Sequence, residues 1–259
     1  MNVCMKNKFF KVVIPTYNAK RTLERAVESV KKQTFIDYCL AIVDDCSTDG
    51  TKELIHSLGA DIEICLGEKC YNGGTRNVGV HGTDRAEYIL FLDADDEFID
   101  EHLFQMLHDF IVEKGYPEMV RLPYRKHYDD SGFEKDFKLL EEKNIADVCQ
   151  SKRVAAWTKA LREDVFVDFP TNTLMEDVCQ HIEQCDVIEK VEFYPEPVVL
   201  WHINPKSTSH NGSLKWQSSA WRFVADLMDL ELQNKYAIDR RDYKVKMAKY
   251  NLGRGIISQ

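Results

Sequence analysis

Residues 88–96 read Tyr88-Ile-Leu-Phe-Leu-Asp-Ala-Asp-Asp96 and give the strongest indication of the fold. The apolar half, Tyr88–Leu92, predicts a buried strand, and three carboxylates follow, on Asp93, Asp95 and Asp96. In an open α/β sheet the ligand crevice lies at the carboxyl ends of the strands. So many anions beside an apolar strand are costly unless a cation shares the site. Carboxylate oxygens suit a hard divalent cation such as Mg²⁺ or Mn²⁺, although a solvated acidic turn would give the same short pattern.

Two further strands, each followed by a helix, precede this stretch. Phe9–Ile14 predicts a strand that stops at the turn Pro15-Thr16-Tyr17-Asn18, and Leu40–Val43 predicts a strand that runs into Asp44-Asp45. Apolar residues at helical spacing predict the helices: Leu23, Ala26, Val27 and Val30 in the first, and Leu54, Ile55 and Leu58 in the second. This alternation predicts a right-handed, parallel βαβ sheet. Polar residues after the three strands would then meet at one edge, which favours a binding crevice.

Four segments in this order resemble motifs of family 2 glycosyltransferases, which have the GT-A fold. They are Lys11-Val-Val-Ile-Pro15-Thr-Tyr-Asn18, Ile42-Val-Asp-Asp45-x-Ser47-Thr-Asp-Gly-Thr51, Asn72-Gly-Gly-x-Arg76-Asn77-x-Gly79 and Tyr88-Ile-Leu-Phe-Leu-Asp-x-Asp-Asp96. Weaker matches continue at Trp157-x-Lys159-x-x-Arg162 and Glu176-Asp177.

The resemblance implies a GT-A type α/β fold with a mostly parallel, Rossmann-like sheet flanked by helices, to which this chain adds predicted C-terminal helices. It also implies transfer of a sugar from a nucleotide diphosphate sugar, usually with inversion at the anomeric carbon and with Mn²⁺ or Mg²⁺. We expect a UDP-sugar as the donor.

The first two motifs carry residues expected to hold the nucleotide. Pro15 and Thr16 would turn the backbone under the edge of the base, with Asn18 beside them. A carboxylate of the pair Asp44 and Asp45 can accept an N–H of the base in a charge-assisted hydrogen bond. The resemblance favours Asp45 over Asp44 for this contact.

The third motif predicts a tight turn at Asn72-Gly73-Gly74, with Arg76 in the first turn of the next helix. A guanidinium at that place can hold a phosphate or a base edge with two hydrogen bonds. Asn72, Gly74 and Arg76 are therefore expected donor-binding residues. The structural alternative for Arg76 is a surface salt bridge.

Within the fourth motif the resemblance assigns ribose and metal contacts to Asp93 and direct metal ligation to Asp95. Ala94 lies between them and is expected to line the donor site. Asp96 could support either neighbour through a hydrogen bond.

The third metal ligand is less well defined. Many relatives carry Tyr-Arg-x-His-x-x-Ser, whereas this chain has Trp201-His-Ile-Asn-Pro-x-Ser207. His202 falls on the Arg position, and a neutral imidazole there could ligate the metal. His210 is a second option.

The proton of the acceptor hydroxyl needs a base, and Thr173-Leu-Met-Glu176-Asp177 offers two carboxylates at a predicted helix start. Thr173 and Glu176 have capping-box spacing, which gives Glu176 a structural explanation. Asp177 has none and lies where the family keeps its acidic base. We expect Asp177 to be the general base, with Glu176 as the alternative.

The segment Val154–Arg162 predicts a strand, or a strand that enters a turn, and its motif borders the active site in the resembled proteins. Trp157 could stack on a sugar ring or lie in the core. Lys159 or Arg162 could contact the diphosphate or remain a solvated cation.

The chain of 259 residues is 44% apolar and can bury one sizeable core. We expect a nucleotide-sugar-binding half over residues 1–118, an acceptor-binding half of the same catalytic domain over 119–211 and a helical segment over 212–259. The sequence contains no apolar run that approaches 18 residues and its first residues lack a signal core, so we expect a cytoplasmic protein. Cysteines in apolar segments, such as Cys39, Cys65 and Cys179, are expected to be reduced core thiols.

Charge is uneven along the chain. The net charge is −9, yet residues 214–259 carry nine Lys or Arg and only five Asp or Glu. Leu214–Asn234 predicts a helix packed on the catalytic domain, and Asp239–Arg254 predicts a basic amphipathic helix. Such a helix can dock on anionic lipid or another polyanion, which would place the protein at the inner membrane surface, although a solvated helix face has the same composition.

Three classes of function remain open at this point. The first is a metal-dependent inverting glycosyltransferase whose acceptor is a glycan, a lipid-linked molecule or another hydroxyl compound. The second is a nucleotidyltransferase-like enzyme, although the Gly-rich basic loop expected after the first strand is replaced by Pro15-Thr-Tyr-Asn18. The third is a non-catalytic sugar-nucleotide-binding protein of the same fold.

Overall fold

The computed structural model describes residues 8–138, 142–149, 151, 153–171 and 176–203. Its strands are β1 (Lys8–Thr16), β2 (Tyr38–Asp44), β3 (Ile62–Cys65), β4 (Ala86–Phe91), β5 (Glu97–Phe98), β6 (Met119–Arg121), β7 (Tyr124–Tyr128), β8 (Phe133–Phe137), β9 (Lys159–Arg162), β10 (Val191–Phe193) and β11 (Val199–Ile203). Its α-helices are α1 (Leu23–Lys31), α2 (Thr51–Leu58), α3 (Tyr71–His81), α4 (Leu103–Glu113), α5 (Ile145–Cys149) and α6 (Glu176–Val187). Short 3₁₀ turns lie at Ala156–Thr158 and Glu163–Val165.

A seven-stranded sheet in the order β10-β6-β9-β4-β1-β2-β3 forms the centre of the molecule. The pairs β1–β2, β1–β4 and β2–β3 are parallel, as the sequence predicts. Only β9 runs the other way, between β4 and β6. The predicted α/β class with a mostly parallel sheet is confirmed. Strands from both predicted halves of the catalytic domain belong to this one sheet.

The central strands are apolar throughout because both of their faces are covered. Val12 and Leu90 point to the side that packs on α1 and α4, whereas Val13 and Phe91 point to the side that packs on α3. The predicted apolar face of α1 is fully buried, with Leu23, Ala26, Val27 and Val30 at 0% exposure. Alternate burial on two sides fixes the register, since a shift by one residue would exchange the two faces.

A smaller sheet in the order β5-β11-β7-β8 lies beside the first. It begins with Glu97–Phe98, directly after the acidic motif, and β11 joins it in parallel pairing with β7. The acidic motif therefore connects the two sheets.

The structure corrects two local predictions. Helix α3 begins at Tyr71, so Asn72, Gly73 and Gly74 lie inside the helix rather than in a free turn. Gly73 is needed there because a Cβ atom would lie 2.4 Å from the carbonyl oxygen of Pro170. Cys65, expected in the core, is exposed at the end of the edge strand β3, and Cys179 is only half-buried.

The predicted helices in 214–234 and 239–254, the capping residue Thr173 and the alternative ligand His210 lie outside the described residues. Within the described ranges, the helices are all too short or too polar to cross a lipid bilayer.

Candidate functional site

Three neighbouring strands, β4, β1 and β2, end at the same edge of the large sheet. The loops that follow them carry the acidic motif, the Pro15-Thr16 turn and the Asp44-Asp45 pair. Parallel pairing thus places the carboxyl-end residues of all three predicted motifs along one edge.

Asp45 and Asp44 are buried at this edge and hold its loops. The two carboxylate oxygens of Asp45 accept the backbone N–H groups of Cys70 and Tyr71 at 2.7 and 3.0 Å. Oδ2 of Asp44 accepts the N–H of Ser47 at 2.9 Å. Among the described residues, Oδ1 of Asp44 and the Thr16 hydroxyl are buried without a hydrogen-bond partner. These two unsatisfied atoms belong to residues paired across β1 and β2, at the place expected for the nucleotide.

Asn18 connects the first loop with the second. Its backbone N–H donates to the Ser47 hydroxyl at 2.8 Å, and its side-chain oxygen accepts the N–H of Thr48 at 2.9 Å. The preceding Tyr17 was not among the predicted site residues, but it is exposed at this edge with the Lys69 ammonium over its ring. An exposed aromatic ring directly after the Pro-Thr turn is the sequence signal that could have identified it, because such a ring can stack on a base.

Arg76 links the first half of the chain to the second. Its guanidinium is 1% exposed, and Nη2 donates to Asp93 at 2.8 Å while Nη1 donates to Glu176 at 3.0 Å and to Asp177 at 2.9 Å. Burial opposes its charge, but attraction by Asp177, Asp93 and Glu176 outweighs burial and raises the pKa of Arg76. The predicted partner of Arg76 was a phosphate or a base edge. The described guanidinium instead brings the acidic motif and the two candidate bases together.

The pKa values of the two candidate bases are raised. Burial, followed by repulsion from Asp177, raises the pKa of Glu176 to about 7. Burial also raises the pKa of Asp177, while Arg76 opposes the shift. The backbone of Ala156 adds a hydrogen bond that favours the ionised form of Asp177. A carboxyl group with a raised pKa beside a fixed cation has the properties of a general base that works near neutral pH.

The remaining carboxylates of the acidic motif repel one another. Burial of its carboxyl group, followed by repulsion from Asp93, raises the pKa of Asp95 to about 6. Asp96 is buried, and burial followed by repulsion from Asp95 raises its pKa well above the usual range. Asp96 also accepts the backbone N–H of His202 at 2.9 Å, a support role close to the one predicted. Arg25, which sequence reasoning missed, donates to the carbonyl oxygen of Asp95.

His202 does not reach the acidic motif through its ring. Nε2 lies 2.9 Å from Glu97 and Nδ1 lies 2.9 Å from Asp129, so both ring nitrogens are engaged on the small sheet. The ring thus faces Glu97 and Asp129, and its hydrogen-bond partners do not include Asp93 or Asp95. The predicted third ligand is therefore not supported.

The Trp157 segment lies deeper than the sequence predicts. Trp157 is buried against Tyr124 and Trp201, with ring centroids 5.0 and 5.7 Å apart, so its faces are not open to a sugar. Lys159 is also fully buried, and burial followed by repulsion from Arg121 lowers its pKa to about 7. The predicted surface contact between Lys159 and a diphosphate is not supported.

Arg162 lies at the wrong edge of the sheet for diphosphate binding. Because β9 is antiparallel to β4, Arg162 pairs with Tyr88, five residues before Asp93. At about 3.3 Å per residue this is roughly 16 Å from the acidic motif. Its guanidinium binds Asp164 at 2.7 Å instead.

Comparison with known proteins agrees with this geometry. Residues 11–150 match the family model described as Glycosyl transferase family 2, and the chain therefore belongs to this family. A Campylobacter jejuni protein named GalNAc(5)-diNAcBac-PP-undecaprenol beta-1,3-glucosyltransferase is 27% identical over 165 residues, which are 59% of this chain and 52% of that protein. The chain spans about half or less of the length of the first curated relatives that it matches.

Solved structures share the fold at low sequence identity. Staphylococcus aureus TarS 1–349 in complex with UDP-GlcNAc has a TM-score of 0.72 and 17% identity, over 96% of this chain and 73% of that chain. The mannosyltransferase PcManGT from Pyrobaculum calidifontis, in complex with GDP-Man and Mn²⁺, has a TM-score of 0.66 and 13% identity, over 98% and 74% of the two chains. These likenesses confirm the predicted GT-A fold.

Proposed function

We propose that the protein is an inverting glycosyltransferase that moves a sugar from a nucleotide diphosphate sugar to a hydroxyl group of an acceptor. The observation that carries this proposal is the contact of Arg76 with both Asp93 and Asp177. One guanidinium holds a carboxylate of the donor motif and a candidate base within one hydrogen-bonded group. Sugar transfer requires the donor sugar and the acceptor hydroxyl to bind next to each other, between the donor-binding residues and the base.

The charge balance of the site fits a divalent cation. Among the described residues, five carboxylates lie close to three basic side chains: Asp93, Asp95, Asp96, Glu176 and Asp177 against Arg25, Arg76 and Lys159. The lowered pKa of Lys159, about 7, reduces its positive charge further. Burial raises the pKa of Asp95, and repulsion from the neighbouring Asp93 raises it further. Asp93 and Asp95 would hold Mn²⁺ or Mg²⁺ through oxygen atoms, the ligands that these ions prefer. When bound, the ion would neutralise the leaving diphosphate.

Asp177 performs the acid–base part of the proposed reaction. Its carboxylate takes the proton of the acceptor hydroxyl, and the acceptor oxygen forms a bond to the anomeric carbon. The bond between that carbon and the diphosphate oxygen breaks on the opposite face, and the nucleotide diphosphate leaves with the electron pair. A single displacement of this kind inverts the anomeric configuration. Arg76 holds Asp177 in place and favours its ionised form.

The donor class is proposed to be a UDP-sugar and the acceptor a lipid-linked glycan. The structural neighbour TarS was solved in complex with UDP-GlcNAc, and the Campylobacter relative is named for an undecaprenol-linked acceptor. The basic predicted helix over residues 239–254 would suit contact with an anionic membrane from the cytoplasmic side. A panel of nucleotide sugars, assayed for slow hydrolysis with Mn²⁺ or Mg²⁺, would identify the donor without a known acceptor.

The base assignment predicts a difference between two neighbouring carboxylates. Asp177→Asn removes the proton acceptor but keeps an oxygen that can accept the hydrogen bond of Arg76. We expect turnover to fall by roughly 10²–10⁴ with donor affinity nearly unchanged. The matched control is Glu176→Gln, which also keeps an acceptor for Arg76 and should cost far less. If Glu176→Gln abolishes transfer and Asp177→Asn does not, the base assignment is wrong by one residue.

Metal dependence is tested by titration calorimetry of UDP with and without Mn²⁺. We expect Mn²⁺ to tighten UDP binding by roughly tenfold or more in the wild type and to have little effect in Asp95→Asn. Asp109→Asn, a change at an exposed carboxylate on α4, is the control and should behave as the wild type. Equal affinity in every titration would rule out a metal at Asp95.

A further inference from the structure

The small sheet carries a cluster of metal-ligating side chains that the proposed transfer reaction does not use. His127 on β7 and His202 on β11 are register partners in the parallel pair, and their ring centroids lie 5.0 Å apart. Asp129, just after β7, completes the cluster. One ligand atom from each of the three residues lies within 4.8 Å of the others.

Each histidine of this cluster has one ring nitrogen within hydrogen-bonding distance of a carboxylate outside the cluster. Nε2 of His202 lies 2.9 Å from Glu97, while its Nδ1 faces Asp129 at 2.9 Å. Nδ1 of His127 lies 3.1 Å from Glu134, which leaves Nε2 for another partner. Metal-binding histidines in proteins characteristically donate their second ring N–H to a carboxylate, which fixes the ring and its tautomer. Each imidazole therefore has the kind of carboxylate partner that it would have in a metal site.

We propose that His127, Asp129 and His202 bind a zinc-type transition-metal ion. Two imidazole nitrogens and one carboxylate oxygen form a donor set that suits Zn²⁺, with water as a fourth ligand. Metal–ligand bonds of about 2.0–2.1 Å place the ligand atoms of a tetrahedral site roughly 3.3 Å apart. The three ligand atoms, which lie within 4.8 Å of one another, would move closer together when the ion binds.

Access to the cluster comes from the side of Asp129. The side chain of Asp129 is 41% exposed and that of His127 26%, whereas that of His202 is 7% exposed. The site is thus closed on the β11 side and open to solvent on the other, so an ion can enter and keep one water ligand.

This site differs in chemistry from the one at Asp93 and Asp95. The acidic motif offers oxygen atoms only and suits Mg²⁺ or Mn²⁺, whereas the histidine cluster selects softer ions. The two places are mechanically connected, because the backbone N–H of His202 bonds to Asp96. Zinc would hold β7 to β11 and so support the loop that carries Asp95 and Asp96. Zinc binding at this cluster would be independent of the proposed sugar transfer.

The test is zinc binding by the full chain after removal of metals with a chelator. Titration with Zn²⁺ against a coloured competitor gives stoichiometry and affinity, and Co²⁺ substitution reports nitrogen ligands through its visible absorption. We expect one tight zinc equivalent per chain. Glu134→Gln removes a supporting carboxylate and should weaken zinc binding by about 10–100-fold. His127→Gln removes a ligand and should weaken zinc binding by more than that.

Two further variants keep the test decisive. Asp129→Asn removes a ligand from an exposed position, so it serves if His127→Gln fails to fold, as judged by circular dichroism. Asp95→Asn should leave the zinc affinity unchanged. The proposal is overturned if the wild type binds no stoichiometric zinc, or if Asp95→Asn abolishes zinc binding. It is also overturned if replacement of the histidines leaves the zinc affinity unchanged, because they would then act only as ion-pair partners.

Discussion

Replacement of Arg76 with methionine tests how the candidate site is held together. Methionine keeps much of the length of arginine but removes the charge and the hydrogen-bond donors. The buried guanidinium bonds to Asp93, Glu176 and Asp177 at 2.8, 3.0 and 2.9 Å. A hydrogen bond to a charged group contributes about 1.5–3 kcal/mol, but three bonds to one cation do not add.

The expected loss of stability follows from the carboxylates that Arg76→Met leaves without a cationic partner. Removal of one partner from a buried ion pair costs about 3–5 kcal/mol, because the other charge remains buried and uncompensated. We therefore expect Arg76→Met to lower the free energy of unfolding by about 3–5 kcal/mol near pH 8. For a domain of this size, that corresponds to a fall in Tm of roughly 6–20 °C.

The loss should be smaller in acid. The pKa of Glu176 is raised to about 7 and that of Asp177 is also raised, and loss of Arg76 raises both further. A carboxyl group whose pKa is higher in the folded than in the unfolded state lowers the free energy of unfolding. This loss reaches its full size at pH values above the folded-state pKa. The penalty disappears as the pH falls towards the unfolded pKa, because both states are then protonated. The difference between variant and wild type should accordingly shrink from about pH 8 to about pH 5.

Urea unfolding at these two pH values measures the effect. Arg162→Met is the matched control, since Arg162 forms an ion pair with Asp164 nearer the surface, and such pairs contribute about 0–1 kcal/mol. If the two variants lose the same free energy of unfolding, or if the loss in Arg76→Met is larger at pH 5 than at pH 8, Arg76 does not stabilise the site by compensating these buried carboxylates.

Two further predictions concern the loops around the site. Gly73→Ala places a Cβ atom 2.4 Å from the carbonyl oxygen of Pro170 and should destabilise the protein by about 1–3 kcal/mol, whereas Gly67→Ala meets nothing within 4 Å and is the control. Equal shifts in Tm for the two variants would contradict this. Asp45→Ala should lower UDP affinity about ten- to a hundredfold and also cost about 0.5–2 kcal/mol of stability, because its carboxylate accepts two N–H groups at the start of α3. Unchanged UDP affinity by calorimetry would remove Asp45 from the nucleotide site.

The parallel part of the sheet could be predicted because the sequence features that indicate each strand and helix lie within that same segment of the chain. Each strand is a short apolar run that ends at a turn residue, and the helix after it shows apolar residues at helical spacing. The predicted strand Phe9–Ile14 is observed as Lys8–Thr16, and Leu40–Val43 as Tyr38–Asp44. Differences of one or two residues at each end arise because strand ends depend on pairing with neighbours.

The second half could not be predicted in the same way because its signals are not local. Whether Trp157 and Lys159 face solvent depends on the insertion of β9 between β4 and β6, which no spacing along the chain reveals. The antiparallel direction of β9 also decides that Arg162 lies at the far edge. Similarly, Glu176 follows Arg76 by 100 residues, so the sequence can identify both groups without showing that they touch.

The backbone of the site contains a further feature that no motif displays. Outside glycine, positive φ angles occur in the described ranges at Asn18 (50°), Cys46 (63°), Tyr71 (60°) and Tyr116 (55°). The first three belong to the loops and the helix start at the carboxyl edge of the sheet. A left-handed conformation costs such residues about 1–3 kcal/mol and persists only where surrounding contacts impose it.

Those contacts are present at each of the loops. The Ser47 hydroxyl holds the N–H of Asn18, the Asn18 side chain holds the N–H of Thr48, and Asp45 holds the N–H of Tyr71. Hydrogen bonds to the side chains of Ser47, Asn18 and Asp45 therefore maintain the left-handed residues at the edge where Thr16 and Asp44 leave polar atoms unsatisfied. Strain retained beside unsatisfied polar atoms is better explained by selection for binding than by selection for stability, because less strained loops would join the same strands. Substitution of these supporting side chains should thus change ligand affinity more than it changes the sheet.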